Sequence, residues 1–517
     1  MALVFLPRPL RWASYGSNAA LRNACLPRMS AARCELAADT FSGPMAFPFC
    51  PQVANAAHEL VSEFYAVDCL VACNIRRVLK AFANARVGTH HFGSTTGYGH
   101  NDAGGREALD KAFAEIAGAE AAIFRPQFFS GTHAIACALF SVLRPSGELL
   151  SVVGAPYETL EEVIGLRGAA GQGSLKEFGV SYREVPFFSG THAIACALFS
   201  VLRPSGELLS VVGAPYETLE EVIGLRGAAG QGSLKEFGVS YREVPLSLEG
   251  GIDWKALSVA VRPETQCALI QRSCGYSWRQ SLTIADIERA VRVIQAQNPC
   301  CTIVVDNCYG EFVETTEPTA VGVDIIAGSL IKNPGGTVAP CGGYIAGKTE
   351  LVAAAAARLS APGIGLESGS VSADVMRLLF QGLFLSPQMV GESIKGGMLL
   401  SKVMHDEGYK VRLKPGSNRH DVIQAVELGS QQRLLAFCKA VQEFCPVGSY
   451  IQPIAGATAG YGSEVIFADG TFIDGSTSEL SCDGPLKEPY VVFCQGGTHW
   501  THWGLVLGGV LEVLDQL

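Results

Sequence analysis

The chain has 517 residues, a length that accommodates more than one domain. Its 39 lysines and arginines against 49 aspartates and glutamates leave a formal charge of −10, which argues against a nucleic-acid surface, because that needs a clustered positive field. Charged residues are only 17% and apolar ones 48%, so a large core is expected and disorder is not.

The first segment differs from the rest. Arg8, Arg11, Arg22, Arg28 and Arg33 precede the first acidic residue, Glu35, among several serines. Residues 1–45 therefore read as a transit peptide for a plastid or mitochondrion; the alternative is a disordered leader on a cytoplasmic protein. Gly105 to Ala117 carries Leu109, Phe113 and Ile116 at helical spacing, and the apolar run Ala121 to Phe124 follows.

Phe128 to Pro186 then recurs without a change as Phe187 to Pro245. Natural solenoid repeats drift, and a stacked array needs three units, so this is a recent duplication or a gene-model error with one copy surplus. The first copy is expected to sit in the fold, because Ala121 to Gln127 runs straight into it and a later surplus unit only lengthens a connection.

Within the unit, Glu148 to Val153 reads as a strand and Pro156 to Ile164 as a helix. Beyond it, Cys267 to Gln271 reads as a buried strand. Thr283, with Asp286 three residues on, opens a helix through a capping box. Thr302 to Val305 is a β-branched run without alternation, as in a strand covered on both faces, and Asp324 to Ala327 is the next strand. Strand and helix alternate, so the central part is α/β with a mostly parallel sheet flanked by helices. From about Ser386 the pattern changes, which suggests a large domain over 46–385 and a smaller C-terminal α+β domain over 386–517.

No apolar run reaches bilayer length; the best, Leu351 to Leu359, holds Arg358. The 17 cysteines include no CxxC pair and read as reduced, mostly buried thiols. His499 and His502 form an HxxH without a third ligand, so no metal site is expected.

Four features carry chemistry. Ser130-Gly131-Thr132 opens a helix, where free N–H groups and hydroxyls suit a phosphate; a plain N-cap is the bland alternative. Tyr157 follows the next strand and is either a ring-stacking aromatic or a half-buried tyrosine. Asp306 ends an apolar strand, where α/β ligands sit, and is either a partner for a pyridinium nitrogen or a turn cap. Lys332, in GSLIKNPGG, is either a desolvated amine suited to a Schiff base or a lysine snorkelling from a strand end.

Their order is that of fold-type I pyridoxal-phosphate enzymes. The segments HHFGSTTGYGHNDAGGREALDKAF, RPQFFSGTHAIACALF, PYETLEEVIGLRG, LIQRSCGYSWRQSLT, VVDNCYGEFVE, GSLIKNPGGTVAPCGGYIAG and ELSCDGPLKEPYVVFCQGG closely resemble the methionine γ-lyase-like, or aluminium-resistance, family, related to cystathionine β- and γ-lyases. The resemblance implies the fold-type I pyridoxal-phosphate transferase fold and a carbon–sulfur lyase that cleaves a sulfur amino acid to keto acid, ammonia and thiol. Two other outcomes stay open: an aminotransferase on the same scaffold, and an inactive, misfolded product of the duplication.

Residue by residue, the resemblance assigns Lys332 to the covalent cofactor linkage and Asp306 to the pyridine nitrogen. Ser130, Gly131, Thr132 and Ser329 would hold the phosphate. Tyr157 would lie on the ring, with His133 as a rival. Tyr98 would reach the phosphate of a neighbouring subunit, which implies a homodimer or homotetramer. The family's PLREPY arginine is replaced here by Lys487, so Arg279 and Arg419 are alternative partners for the substrate carboxylate.

Overall fold

The helix Gly105–Ala117 starts after Gly104 and stops at Gly118, both in the left-handed region (φ 78° and 67°) that only glycine enters cheaply. Its buried face carries Phe113, whose ring lies 4.9 Å from that of Phe124 and 4.7 Å from that of Tyr344. Such aromatic pairs contribute about 0.5–1.5 kcal/mol each beyond the area they bury. They dock the helix onto one end of the main sheet.

The structure is a computed structural model. It describes residues 47–93, 104–128, 133–135, 137–138, 149–151, 172–177, 181–183, 207–210, 240–247, 250–359, 371–457, 463–473 and 475–517. Residues 49–517 form one compact unit. The leader, the helix expected over Pro156 to Ile164, and Tyr98, Ser130, Gly131, Thr132 and Tyr157 lie outside the described residues.

In chain order the strands are β1 (Ala121–Arg125), β2 (Leu149–Ser151), β3 (Gln172–Glu177), β4 (Ser181–Arg183), β5 (Glu207–Ser210), β6 (Ser240–Glu243), β7 (Thr265–Gln271), β8 (Thr302–Asp306), β9 (Ile325–Ser329), β10 (Gly343–Gly347), β11 (Lys410–Val411), β12 (Gln424–Glu427), β13 (Val465–Asp469), β14 (Ser481–Pro485) and β15 (Val491–Gln495). The main sheet has the order β1-β10-β9-β8-β7-β2-β6-β5. It is parallel through β9, β8, β7 and their duplicated-unit neighbours, and β10 is antiparallel to both β9 and β1. The α/β expectation is met, with an antiparallel end. The second sheet, β11-β12-β15-β14-β13, is antiparallel, with the helices Gln431–Glu443 and Trp500–Leu514 packed on it. The pattern change at Ser386 falls inside the helix Ala373–Asp406, which also holds Pro387.

The duplication leaves a specific mark. Leu149 and Leu208 are the same residue of the two copies, and both pair with Cys267; Leu150 and Leu209 both pair with Ala268. Either copy matches the same edge of β7, and one strand at a time can fill it. Their following segments diverge: Ser240–Glu243 joins the main sheet, whereas Ser181–Arg183 pairs with β3 in a separate two-stranded sheet.

The capping box read at Thr283 and Asp286 is present. Thr283 caps Ile284–Gln297, its hydroxyl accepting from the Asp286 N–H at 2.8 Å while the Asp286 carboxylate accepts from the Thr283 N–H at 3.1 Å. The described cysteines are free thiols. His499 caps the last helix and His502 meets the Phe444 carbonyl, and no metal-binding group is found among the described residues. No described helix is long and apolar enough to cross a membrane.

Candidate active site

Three parallel strands end side by side. Gln271 of β7 is in register with Asp306 of β8, and Asp306 with Ala327 of β9. Side chains that end or follow these strands therefore converge at their carboxyl ends, where open α/β sheets bind ligands.

Asp306 is buried, at 4% exposure. One carboxylate oxygen accepts from the Cys308 N–H at 3.0 Å. Burial pushes its pKa up to about 6, against the Cys308 hydrogen bonds and the positive charges of Lys332 and Arg279. A carboxylate so placed lacks a full counter-charge, which a protonated ring nitrogen would supply.

Ser329 ends β9 with no exposure, and its hydroxyl oxygen has no hydrogen-bond partner among the described residues. A buried hydroxyl without a partner is costly, so this one marks a place for an acceptor or donor from outside. Lys332 follows a short turn. Gly335 closes the turn beyond Lys332 so tightly that a Cβ there would lie 1.7 Å from the Leu330 carbonyl oxygen. Burial lowers the Lys332 pKa, opposed by nearby acidic groups including Asp306, Glu311 and Asp483. Its Nζ stands 3.7 Å from the centroid of the Tyr309 ring.

The loop after Asp306 is held by a buried network. Arg272 donates to Asn307 Oδ1, the Gly310 carbonyl and Glu314 Oε1, each at 2.9 Å. Asn307 donates to Glu317 at 3.0 Å, and Asn333, next to Lys332, donates to the Glu311 carbonyl at 3.0 Å. Tyr309 (φ 70°) and Phe312 (φ 60°) adopt left-handed conformations that side chains avoid, and this network imposes them.

Glu311 lies beneath, buried, accepting from the Tyr344 hydroxyl at 2.8 Å. Burial pushes its pKa from 4.5 to about 8. Between those values the folded chain keeps a proton that the unfolded chain has lost. Stability therefore falls as pH rises from about 4.5 and levels off above about 8. Glu311→Gln is expected to unfold at a higher urea concentration than the parent at pH 8 but at a similar one at pH 5. Parallel pH profiles for the two proteins would exclude this role.

The other expected residues scatter. His133 is buried with its ring edge-on to Phe128 at 5.6 Å. Arg279 directs its guanidinium to the backbone carbonyls of Gln280, Gln271 and Ser273, which ties the loop after β7. Arg419 donates to the Gly397 carbonyl at 2.7 Å and Gln424 Oε1 at 2.6 Å, while its Nε and Nη1 are buried without a partner among the described residues. Lys487 is exposed in the turn between β14 and β15. Of the three candidates for the substrate carboxylate, Arg419 is the one with buried, unused donors. A cavity of about 580 Å³ lies between the loops that carry Arg279 and His420, and its lining includes none of Asp306, Ser329 or Lys332.

Sequence reasoning missed Tyr309, Tyr276 and Asp483. Tyr276 donates to Asp483 at 2.7 Å across the two sheets. Each stands in a motif quoted above, but no local spacing links them.

Comparison with known proteins bears on this geometry. The profile of the family described as Methionine gamma-lyase matches residues 50–189 and 186–516, so both copies of the duplicated unit fall within it. The uncharacterized protein YnbB of Bacillus subtilis is 38% identical over 441 residues, 85% of this chain and 90% of its own. A Listeria monocytogenes structure, described as a candidate cystathionine beta-lyase involved in aluminum resistance, superposes with a TM-score of 0.75 at 35% identity, covering 90% of this chain and 99% of that one. A Clostridium novyi structure, described as a carbon-sulfur lyase involved in aluminum resistance, gives 0.73 at 34% identity, covering 89% and 94%. With a profile that spans most of its length, the chain belongs to the methionine gamma-lyase family.

Proposed function

We propose that the protein is a pyridoxal-phosphate-dependent carbon–sulfur lyase of fold type I, acting on a sulfur amino acid. The observation that carries this reading is the convergence of a buried strand-end carboxylate, a buried hydroxyl without a partner among the described residues and a desolvated lysine at the ends of β8 and β9. Bound pyridoxal phosphate supplies an electron-withdrawing ring that stabilises negative charge at the substrate Cα.

The chain's own residues do the rest. Asp306 holds a proton on the ring nitrogen, and Ser329 donates to the phosphate alongside Ser130, Gly131 and Thr132. Tyr157 covers the ring, and Tyr98 comes from a neighbouring subunit. Lys332 is the residue that would hold the cofactor covalently, and its Nζ is placed to move the proton at the substrate Cα. The lowered Lys332 pKa suits this, because more of the amine is neutral near pH 7. Arg419 is the group we assign to the substrate carboxylate.

The test is a panel of sulfur amino acids offered to the cofactor-loaded chain. Equimolar thiol, ammonia and keto acid are expected. Accumulation of pyridoxamine phosphate with dependence on an oxo-acid partner would make it an aminotransferase instead. Asp306→Asn is expected to lower kcat by about 100-fold or more while cofactor affinity shifts by less than about tenfold. An unchanged kcat would remove Asp306 from its role.

A further inference from the structure

None of the groups assigned above to cofactor or substrate lines the cavity of about 580 Å³. One of its walls is the loop after β7, with Trp278 and Arg279, running into the helix Ile284–Gln297. The other is the segment from β11 towards β12, with Arg412, Lys414, Asn418 and His420. The lining thus carries Arg279, Arg412 and Lys414 as full cations and Asp286 as its one acid.

The acids in and around the cavity are already engaged. Asp286 accepts from the Thr283 N–H and hydroxyl at the helix start. Outside the lining, Glu314 accepts from Arg272 and meets His420 at 3.2 Å. Glu427 pairs at 2.6 Å with Lys410, which stands over the Trp278 ring. Asp421 lies 3.5 Å from Arg412 and accepts from the Ser273 hydroxyl at 2.9 Å.

The positive side is less complete. Arg279 and Arg412 are buried, at 4% and 5% exposure. Arg279 donates to the Gln280, Gln271 and Ser273 carbonyls, and Arg412 to those of Arg279 and Ile423, none of which carries a full charge. Arg412 Nε is buried without a partner among the described residues. Burial, reinforced by the charge of Arg412, lowers the Arg279 pKa to about 10, opposed by Cys274, Asp421 and Asp306. Lys414 is exposed, with no ion pair among the described residues. Two buried guanidiniums share the Asp421 carboxylate, so a further negative group lowers the cost of burying them. Guanidinium, ammonium and neutral amide donors around one space suit an oxyanion.

We infer that this cavity is a binding site for a small molecule that carries an oxyanion, phosphate or carboxylate, held between Arg279, Arg412 and Lys414. The site is distinct from the cofactor groups and stands independently of the proposed function.

The test is calorimetric titration of the chain loaded with pyridoxal phosphate and freed of excess. Sodium phosphate is the probe in one arm and sodium succinate in the other, at constant ionic strength, which holds screening fixed. At least one probe is expected to bind with a Kd below about 1 mM. The arm that binds tells which oxyanion the ligand carries. Arg412→Lys keeps the charge but loses the planar fork, and should weaken binding about tenfold; Lys414→Gln should weaken it about threefold or more. Lys80→Gln, on the distant helix Val61–Asn84, should leave it unchanged. Binding of neither probe below about 10 mM, or equal weakening by Lys80→Gln and Lys414→Gln, overturns the inference. Should Arg412→Lys fail to fold, Lys414→Gln, at an exposed position, decides alone. A chain that takes up no cofactor yet binds a probe in a Lys414-dependent way keeps this site and loses the lyase reading.

Discussion

Lys332→Ala is expected to abolish turnover and to remove the absorption band of the protonated lysine–cofactor linkage, while the cofactor still binds weakly through its phosphate. The change deletes both the attachment point and the Cα base, so the loss should exceed that of any other single substitution. The surroundings predispose this lysine. Gly335 forces a turn immediately beyond it, Asn333 fastens that turn to the loop after Asp306, and Tyr309 lies against its Nζ. Borohydride reduction followed by peptide mapping checks the point in the parent chain. Trapping at a different lysine would disprove the assignment.

Arg272→Ala is expected to produce the largest loss of stability. The guanidinium has no exposure, and besides its three hydrogen bonds it lies 3.6 Å from Glu317. Removing one partner of a buried ionic network strands the others, and such changes cost about 3–5 kcal/mol. Urea unfolding gives the figure directly. Gly310→Ala should act through the same contact, since a Cβ there would lie 2.5 Å from Arg272 Cδ. A loss under about 1 kcal/mol for Arg272→Ala would show that the network is not what holds this loop.

What was legible in the sequence was local or ordered along the chain. Thr283 and Asp286 announce a helix because the capping box spans four consecutive positions. Asp306 and Lys332 stand out because each ends a strand–turn unit, and a parallel sheet places successive units side by side. The strand Gly343–Gly347 was not read, since glycines flank its apolar centre and its antiparallel course depends on β1 and β9. Asp483 and Tyr276 are separated by 207 positions, and only the packing of one sheet against the other brings them together. Arg279 ties together backbone carbonyls of the loop after β7, a contact that composition does not encode.

The shared register of β2 and β5 has a consequence for the folded population. One edge of β7 can hold one ladder, and two identical segments offer themselves to it. Whichever is seated, the surplus length goes to the connection before it or the one after it. Doubling a loop costs only about 0.6 kcal/mol, so loop closure by itself separates the two arrangements by about 1 kcal/mol or less. The chain is therefore expected to form two topological isomers of equal composition, which would exchange only by unpairing a strand in the middle of the sheet. Amide exchange by mass spectrometry should show two protected populations over the repeat, and deletion of Phe187 to Pro245 should collapse them to one.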